Sequence, residues 1–207
     1  ASRYNTRAGV QSPAEWRGLA QVSAAASRLN RIVVDAFMRA DVPVLSLQPS
    51  ASVAVEDGRI ASLAMEPIER ALEAGIIPLI FGDVAFDRVR GGTILSTEDL
   101  FFYLTPILRP RRILLLGNAP GVLDDQRQVI PVITPGSYFQ VEPFLRGAGG
   151  VDVTGGMADK VARMVALVKD TPGLEVRIFS GRDPEHFKRV LLEPEAVIGT
   201  RICADVG

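Results

Sequence analysis

The chain has 207 residues, of which 47% are hydrophobic and 23% charged, and its formal net charge is −1. That length can bury a substantial core, and the composition is ordinary for a soluble globular protein. The near-neutral balance excludes the broad basic surface that nucleic acids need, so no nucleic-acid partner is expected. The densest basic stretch, Arg109–Arg112, reads as a solvated approach to a strand. A single cysteine, Cys203, excludes an intrachain disulfide and points to a reducing compartment, so a cytoplasmic location is expected. No apolar run nears the roughly 18–20 residues that span a bilayer, and no membrane partner is expected.

In chain order, Ser12, Pro13 and Glu15 supply an N-cap, a first helical proline and a first-turn acid. They open a helix predicted over Pro13–Arg39, with Leu19, Val22, Ala26, Leu29, Val33 and Phe37 near a 3.6 period. Val44–Leu47 reads as a short strand, and Ser50–Val55 continues as extended chain or turn. Glu56–Arg59 is a hairpin-like turn. Glu66–Ala74 is a second helix, closed by Gly75.

The continuously apolar run Ile76–Phe81 predicts a strand buried on both faces, with Gly82-Asp83-Val84 in the loop at its carboxyl end. Asp87–Gly92 is a loop or hairpin and Thr93–Leu95 a short strand. Ser96–Asp99 then caps a helix over Leu100–Leu108. Arg112–Leu116 is another buried strand, followed by the small-residue loop Gly117–Val122. Asp124–Gln128 turns into Val129–Ile133. A glycine-rich segment follows, with a short helix at Tyr138–Arg146. Glu175–Phe179 is a strand ending at Ser180-Gly181-Arg182, Pro184–Leu191 a short helix, and Gly199–Ile202 a final edge strand. Strands alternating with helices imply an α/β fold, an α/β/α sandwich with a largely parallel central sheet.

The most informative stretch is Val151–Lys160, which runs into an apolar helical pattern. Gly155 and Gly156 let the backbone come close to a ligand. Their amides lie just ahead of a helix start, where N–H groups and the helix dipole attract anions. Lys160, four residues beyond Gly156, is about one helical turn further on and can lean back toward the same anion. Asp152 and Thr154 offer oxygens that could cap the helix or orient the lysine. This is a phosphate cradle with one mobile cation, or else a Gly-rich loop, an ordinary cap and a solvated lysine; spacing alone leaves both open.

Four stretches together resemble one family over nearly the whole chain. Ile80–Asp87, Thr93–Leu100, Asp152–Met157 with Lys160, and Gly199-Thr200 are similar, in order and spacing, to the isopentenyl phosphate kinases of the amino acid kinase superfamily, near the fosfomycin-phosphorylating kinases. The resemblance implies an amino acid kinase-like single domain over residues 1–207. It implies transfer of the ATP γ-phosphoryl group to isopentenyl phosphate, with Mg2+, by a homodimer. It places Gly155, Gly156 and Lys160 against the ATP phosphates, with Asp152 beside them and Lys160 stabilising the transferring group. It sets Gly117, Asn118 and Gly121 in a nucleotide-flanking loop, Gly181 near the adenine, and Gly82 and Asp83 on the acceptor-phosphate side. Thr97 and Glu98 stand where the family has Gly-Asp. The helix around Trp16–Phe37 borders the acceptor tail in this reading, although its small residues are equally explained by helix packing.

The chain also departs from the family. Its opening strand with a glycine-rich turn and lysine, and a second such turn ending in histidine, have no counterpart, as if those N-terminal segments were missing from the chain. The one histidine, His186, sits in a late helix as a surface residue. Asn118 and Pro120 replace acids of the nucleotide loop. No acid is assigned as a metal ligand, since magnesium in this family is largely held by the nucleotide. A catalytically inactive nucleotide-binding or regulatory module of the same fold, and a kinase for another acceptor such as a phosphonate, therefore remain as alternatives.

Overall fold

A computed structural model describes residues 9–147 and 156–205. The chain divides into two compact units, Ala1–Tyr103 and Leu104–Gly207. The first unit opens with α1 (Pro13–Arg39). Its start is a reciprocal capping box: Ser12 Oγ accepts from the Glu15 amide at 3.3 Å, and the Glu15 carboxylate accepts from the Ser12 amide at 2.8 Å. Then follow β1 (Val44–Leu47), a 3-10 turn at Pro49–Ala51, β2 (Val53–Glu56), β3 (Arg59–Leu63), α2 (Glu66–Glu73), β4 (Ile77–Ile80), β5 (Asp83–Asp87) and β6 (Gly91–Leu95). β1 pairs with β4 in parallel, and the other four strands form a sheet in the order β3-β2-β5-β6.

The hairpin-like turn expected at Glu56–Arg59 joins β2 to β3: Arg59–Leu63 contains few strong strand formers, and its pairing with β2 across the turn at Asp57 and Gly58, both left-handed, imposes the conformation. The Ile76–Phe81 run is not buried on both faces: Ile77 stays 41% exposed, and Pro78, Leu79 and Ile80 are only partly buried. Asp83 is not in a loop but is the first residue of β5, which forms an antiparallel hairpin with β6. The predicted core stripe of α1 also holds only in part. Leu19 is buried with Val10 and Val84 and packs over Gly92, whereas Leu29 is 64% exposed. The middle of the helix is seated by polar contacts instead, from Ser23, Ser27 and Asn30.

Asp87 closes the two turns of this sheet. Its carboxylate accepts four backbone N–H groups, from Asp57 at 3.1 Å, Gly58 at 2.6 Å, Val89 at 2.8 Å and Arg90 at 2.9 Å. Burial pushes its pKa up, but the four amides outweigh burial and hold it below the ordinary aspartate value. A depressed folded-state pKa means the stabilisation is present above the unfolded value of about 3.9 and is lost as pH falls through the folded one. Asp87→Asn is expected to cost about 2 kcal/mol at neutral pH, from buried amides left without a charged acceptor. It should also flatten the loss of stability below about pH 4, which urea titrations at several pH values would read.

The second unit contains β7 (Arg112–Gly117), β8 (Val132–Ile133), α4 (Tyr138–Gly147), α5 (Gly156–Asp170), β9 (Glu175–Ser180), α6 (Pro184–Leu192) and β10 (Thr200–Ile202). α3 (Thr97–Leu108) runs across the boundary between the units in sequence. The sheet order is β7-β9-β10-β8, so β10 is an interior strand and not the edge strand its position near the end of the chain suggests. β7 alternates, with Ile113 and Leu115 buried and Leu116 48% exposed, so it is covered on one face only. Phe179, Met164, Ile133, Ile202, Val161 and Val176 are fully buried and form the centre of the unit. Parallel pairings (β1 with β4, β2 with β5, β7 with β9, β8 with β10) outnumber antiparallel ones, and the fold is a mixed α/β one with parallel-rich sheets.

Candidate active site

In the second unit the candidate nucleotide residues gather at one end of the sheet. β7 and β9 run parallel with Gly117 opposite Ser180, so both strands finish together. The Gly181 amide donates to the Gly117 carbonyl at 3.0 Å. A Cβ at Gly181 would come within 3.1 Å of Leu116, so a side chain there would crowd the strand ends, while the space beside Gly117 is open. Carboxyl ends of parallel strands are where α/β proteins take ligands, because the flanking loops diverge and helix N-termini point there.

The loop after Gly117 is tied down from below. Gly121 packs so closely on β10 that a Cβ would lie 2.8 Å from Thr200 Oγ1 and 2.8 Å from Val129. The buried Thr200 hydroxyl accepts from the Val122 amide at 2.8 Å. Gly121 thus serves close packing, while Asn118 and Pro120 remain exposed on the loop. Asp124 then folds the chain into a small hairpin by accepting from the Gln126 and Gln128 amides.

α5 brings its start to the same end. It spans 15 residues, about 22 Å, and is followed after a tight turn at Thr171–Leu174 by the six-residue β9, about 20 Å. It lies against β9 and β10. A helix that precedes an adjoining strand through a tight turn runs antiparallel to it, so the N-terminus of α5 stands level with Ser180 and Gly181. Gly156 is the first residue of α5, and Lys160 lies one turn in, beside the buried stripe Val161, Met164, Val165 and Val168. Asp152, Thr154 and Gly155 lie outside the described residues. Among the described residues, no three His, Cys, Asp or Glu side chains cluster so as to hold a metal ion. His186 is half-exposed in the first turn of α6, 3.6 Å from Asp183.

In the first unit, Gly82 precedes β5 and sits against the start of α3: a Cβ on it would lie 3.3 Å from the Leu95 carbonyl oxygen and 3.4 Å from Thr97 Oγ1. Gly82 and Thr97 are therefore neighbours, with Glu98 next along the helix. The expected cap of this helix is present, since Ser96 Oγ accepts from the Asp99 amide at 3.2 Å and Asp99 accepts from the Ser96 amide at 2.9 Å.

Asp83 is 1% exposed, and three donors from two segments reach it: Ser23 Oγ of α1 at 2.9 Å, and from the turn after β1 Gln48 Nε2 at 3.2 Å and the Ser50 amide at 3.4 Å. Ser23, Gln48 and Ser50, which surround Asp83, were not singled out by sequence reasoning. The one usable signal was the polar series Ser23, Ser27, Asn30 at helical spacing. Nothing in the sequence marked Thr200 as the anchor of the 117–122 loop.

The family model "Amino acid kinase family" matches residues 2–180. The isopentenyl phosphate kinase of Haloferax volcanii is 37% identical over 151 residues, covering 73% of this chain and 60% of that protein. That of Methanothermobacter thermautotrophicus is 30% identical over 214 aligned positions, covering 98% of this chain and 78% of that protein. An X-ray structure of an isopentenyl phosphate kinase superposes with a TM-score of 0.78 at 27% identity, over 98% of this chain and 78% of that one. The chain thus spans about 60% of the first of these relatives and 78% of the second. Matched along most of its length in both sequence and fold, this chain belongs to the amino acid kinase family, among its isopentenyl phosphate kinases.

Proposed function

We propose that the protein transfers the γ-phosphoryl group of ATP to isopentenyl phosphate, giving isopentenyl diphosphate. The observation that carries this reading is the convergence of Gly117, Gly181 and the start of α5 at the carboxyl end of β7 and β9. The named activity of the relatives supplies the acceptor.

In this reading the loop with Gly117, Asn118 and Gly121 flanks the nucleotide, Gly181 leaves room for its base, and amides ahead of and at Gly156 hold phosphate oxygens with Asp152 and Gly155 nearby. Phosphoryl transfer passes through a loose transition state with charge spread over the moving group, so the chain's task is positioning and neutralisation. Lys160 places its ammonium against that charge. Mg2+, carried by the nucleotide phosphates, would add further neutralisation. Gly82, Thr97 and Glu98 form the acceptor side. Asp83, buried beneath them, acts from behind. A half-open hollow of about 170 Å³ in the same unit, lined by Ser46, Leu47, Gln48, Leu63, Ile68 and Ile80, offers apolar wall to a hydrocarbon tail.

The two units act as one kinase domain in this reading, and the protein works in the cytoplasm as a homodimer. Exposed Leu29 and Ile32 on one face of α1 are the kind of surface a second copy covers. No helix among the described residues is long and apolar enough to cross a membrane.

The test is transfer of labelled γ-phosphate from Mg-ATP by the full-length protein to isopentenyl phosphate, with a phosphonate of the same length run alongside. Diphosphate product from isopentenyl phosphate supports the reading. Product from the phosphonate alone moves the acceptor class, and ATP binding without transfer to either leaves a nucleotide-binding module.

A further inference from the structure

We propose that Asp83 is a positioning residue that locks α1 onto the Gln48–Ser52 turn and so holds the acceptor side around Gly82 in its binding shape. The inference rests on the function proposed above for where the acceptor sits. The geometry comes from the carboxylate itself. One oxygen, Oδ1, takes the hydroxyl of Ser23 on α1; the other, Oδ2, takes the Gln48 side chain and the Ser50 amide from the turn that follows β1. At 1% exposure the group is buried, so it cannot present itself to a phosphate, and as a like charge it would repel one. Its position directly after Gly82, which touches Thr97, puts it under the surface and not on it.

Two further bonds follow the same seam. Gln48 Nε2 also reaches Ser27 Oγ at 3.4 Å, and Asn30 Nδ2 donates to Ser46 Oγ at 2.6 Å. Ser23, Ser27 and Asn30 thus form one stripe of α1 at spacings of four and three, each residue bonded to the β1 strand, its following turn or Asp83. Leu29 and Ile32 face away from this stripe and are exposed, while Val34, one turn beyond Asn30 on the same face, is buried, so apolar packing takes over where the polar contacts end. A carboxylate that satisfies donors from two segments, α1 and the turn after β1, fixes their relative placement, because leaving those part-buried donors unmet is costly.

The experiment compares the full-length protein with Asp83→Asn, Ser23→Ala and Gln48→Ala, titrating isopentenyl phosphate and ATP separately. Asp83→Asn is expected to raise the KM for isopentenyl phosphate about ten-fold while the ATP KM changes by less than about two-fold. Ser23→Ala and Gln48→Ala should give smaller rises of the same kind. Either one combined with Asp83→Asn should add little, because the three residues act as one unit. An unchanged acceptor KM, or equal rises for both substrates, overturns the proposal.

Amide hydrogen exchange tests the lock without any turnover. Selective loss of protection at residues 23–30 and 48–52 in Asp83→Asn supports it, and uniform or absent change overturns it. A wild-type protein that transfers nothing would remove the kinase reading, and the exchange result would still decide whether Asp83 holds the two segments together.

Discussion

Lys160→Ala is expected to lower kcat for phosphoryl transfer about 10²–10³-fold while leaving the protein folded and the ATP KM within about three-fold. The expectation follows from where charge changes during the reaction. In the proposed reading, bound ATP would have its phosphates spread over backbone amides and its own magnesium, so one more cation would add little to ground-state binding. In that reading the γ-phosphoryl group would leave in front of the start of α5, and a cation one turn into the helix would be worth most as charge develops there. The side chain is only half-buried, so truncation should leave the packed stripe of Val161, Met164 and Val165 in place. Steady-state kinetics with a thermal melt as control separates the outcomes. A mutant with full turnover removes Lys160 from the chemistry, and a mutant with unchanged kcat but a much weakened ATP KM makes it a binding residue only.

The second large effect is structural. Gly199→Ala is expected to cost about 3 kcal/mol, lowering Tm by about 6–12 °C. Gly199 has φ +74°, and a Cβ there would lie 2.2 Å from the Ile178 carbonyl oxygen and 2.6 Å from Phe179 Cβ. Neither obstacle is the end of a flexible side chain: one is the backbone of β9 and the other is fully buried. The residue after it begins β10, the interior strand whose Thr200 hydroxyl holds the 117–122 loop. Loss of stability should therefore come with weaker ATP binding. Gly173→Ala is the matched control, since its φ is +81° with nothing within 4 Å of the added carbon. Conformational strain alone should cost it about 1 kcal/mol. Urea denaturation of the two mutants side by side isolates the steric part, and equal losses would contradict the packing argument.

Much of this architecture is written in local chemistry. Ser12, Pro13 and Glu15 mark the start of α1 to the residue, because a capping box is made by neighbours in sequence. The hairpin tip at Asp57-Gly58 and the cap of α3 are legible for the same reason. What could not be read depends on partners far away along the chain. An apolar run such as Ile76–Phe81 reports an affinity for burial but not what covers each face, so β4 was expected to be buried on both faces and is only partly buried. β10 is three residues long and its place between β9 and β8 is decided by pairing alone.

The candidate site divides along the same line. Gly117 and Gly181 can be named from sequence as turn glycines at strand ends, and their meeting needs only that β7 and β9 be parallel neighbours of matched length. Asp83 could be named too, but its surroundings could not. Its donors lie 60, 35 and 33 residues away. The stripe on α1 that supplies one of them reads, in an alanine-rich helix, as harmless packing or an open wall. The Asp152–Gly155 part of the cradle lies outside the described residues, so its roles stay with the proposal.

The most direct measurement of the central claim, that ATP binds where β7, β9 and the start of α5 meet, is an amide NMR titration of the protein with Mg-ATP. The account predicts shifts that concentrate at Gly117, Asn118, Gly156, Lys160 and Gly181. Arg112 and Glu175, at the opposite ends of the same two strands, should stay unmoved. Shifts centred on Arg112 and Glu175, or none in the second unit at saturating nucleotide, would contradict it.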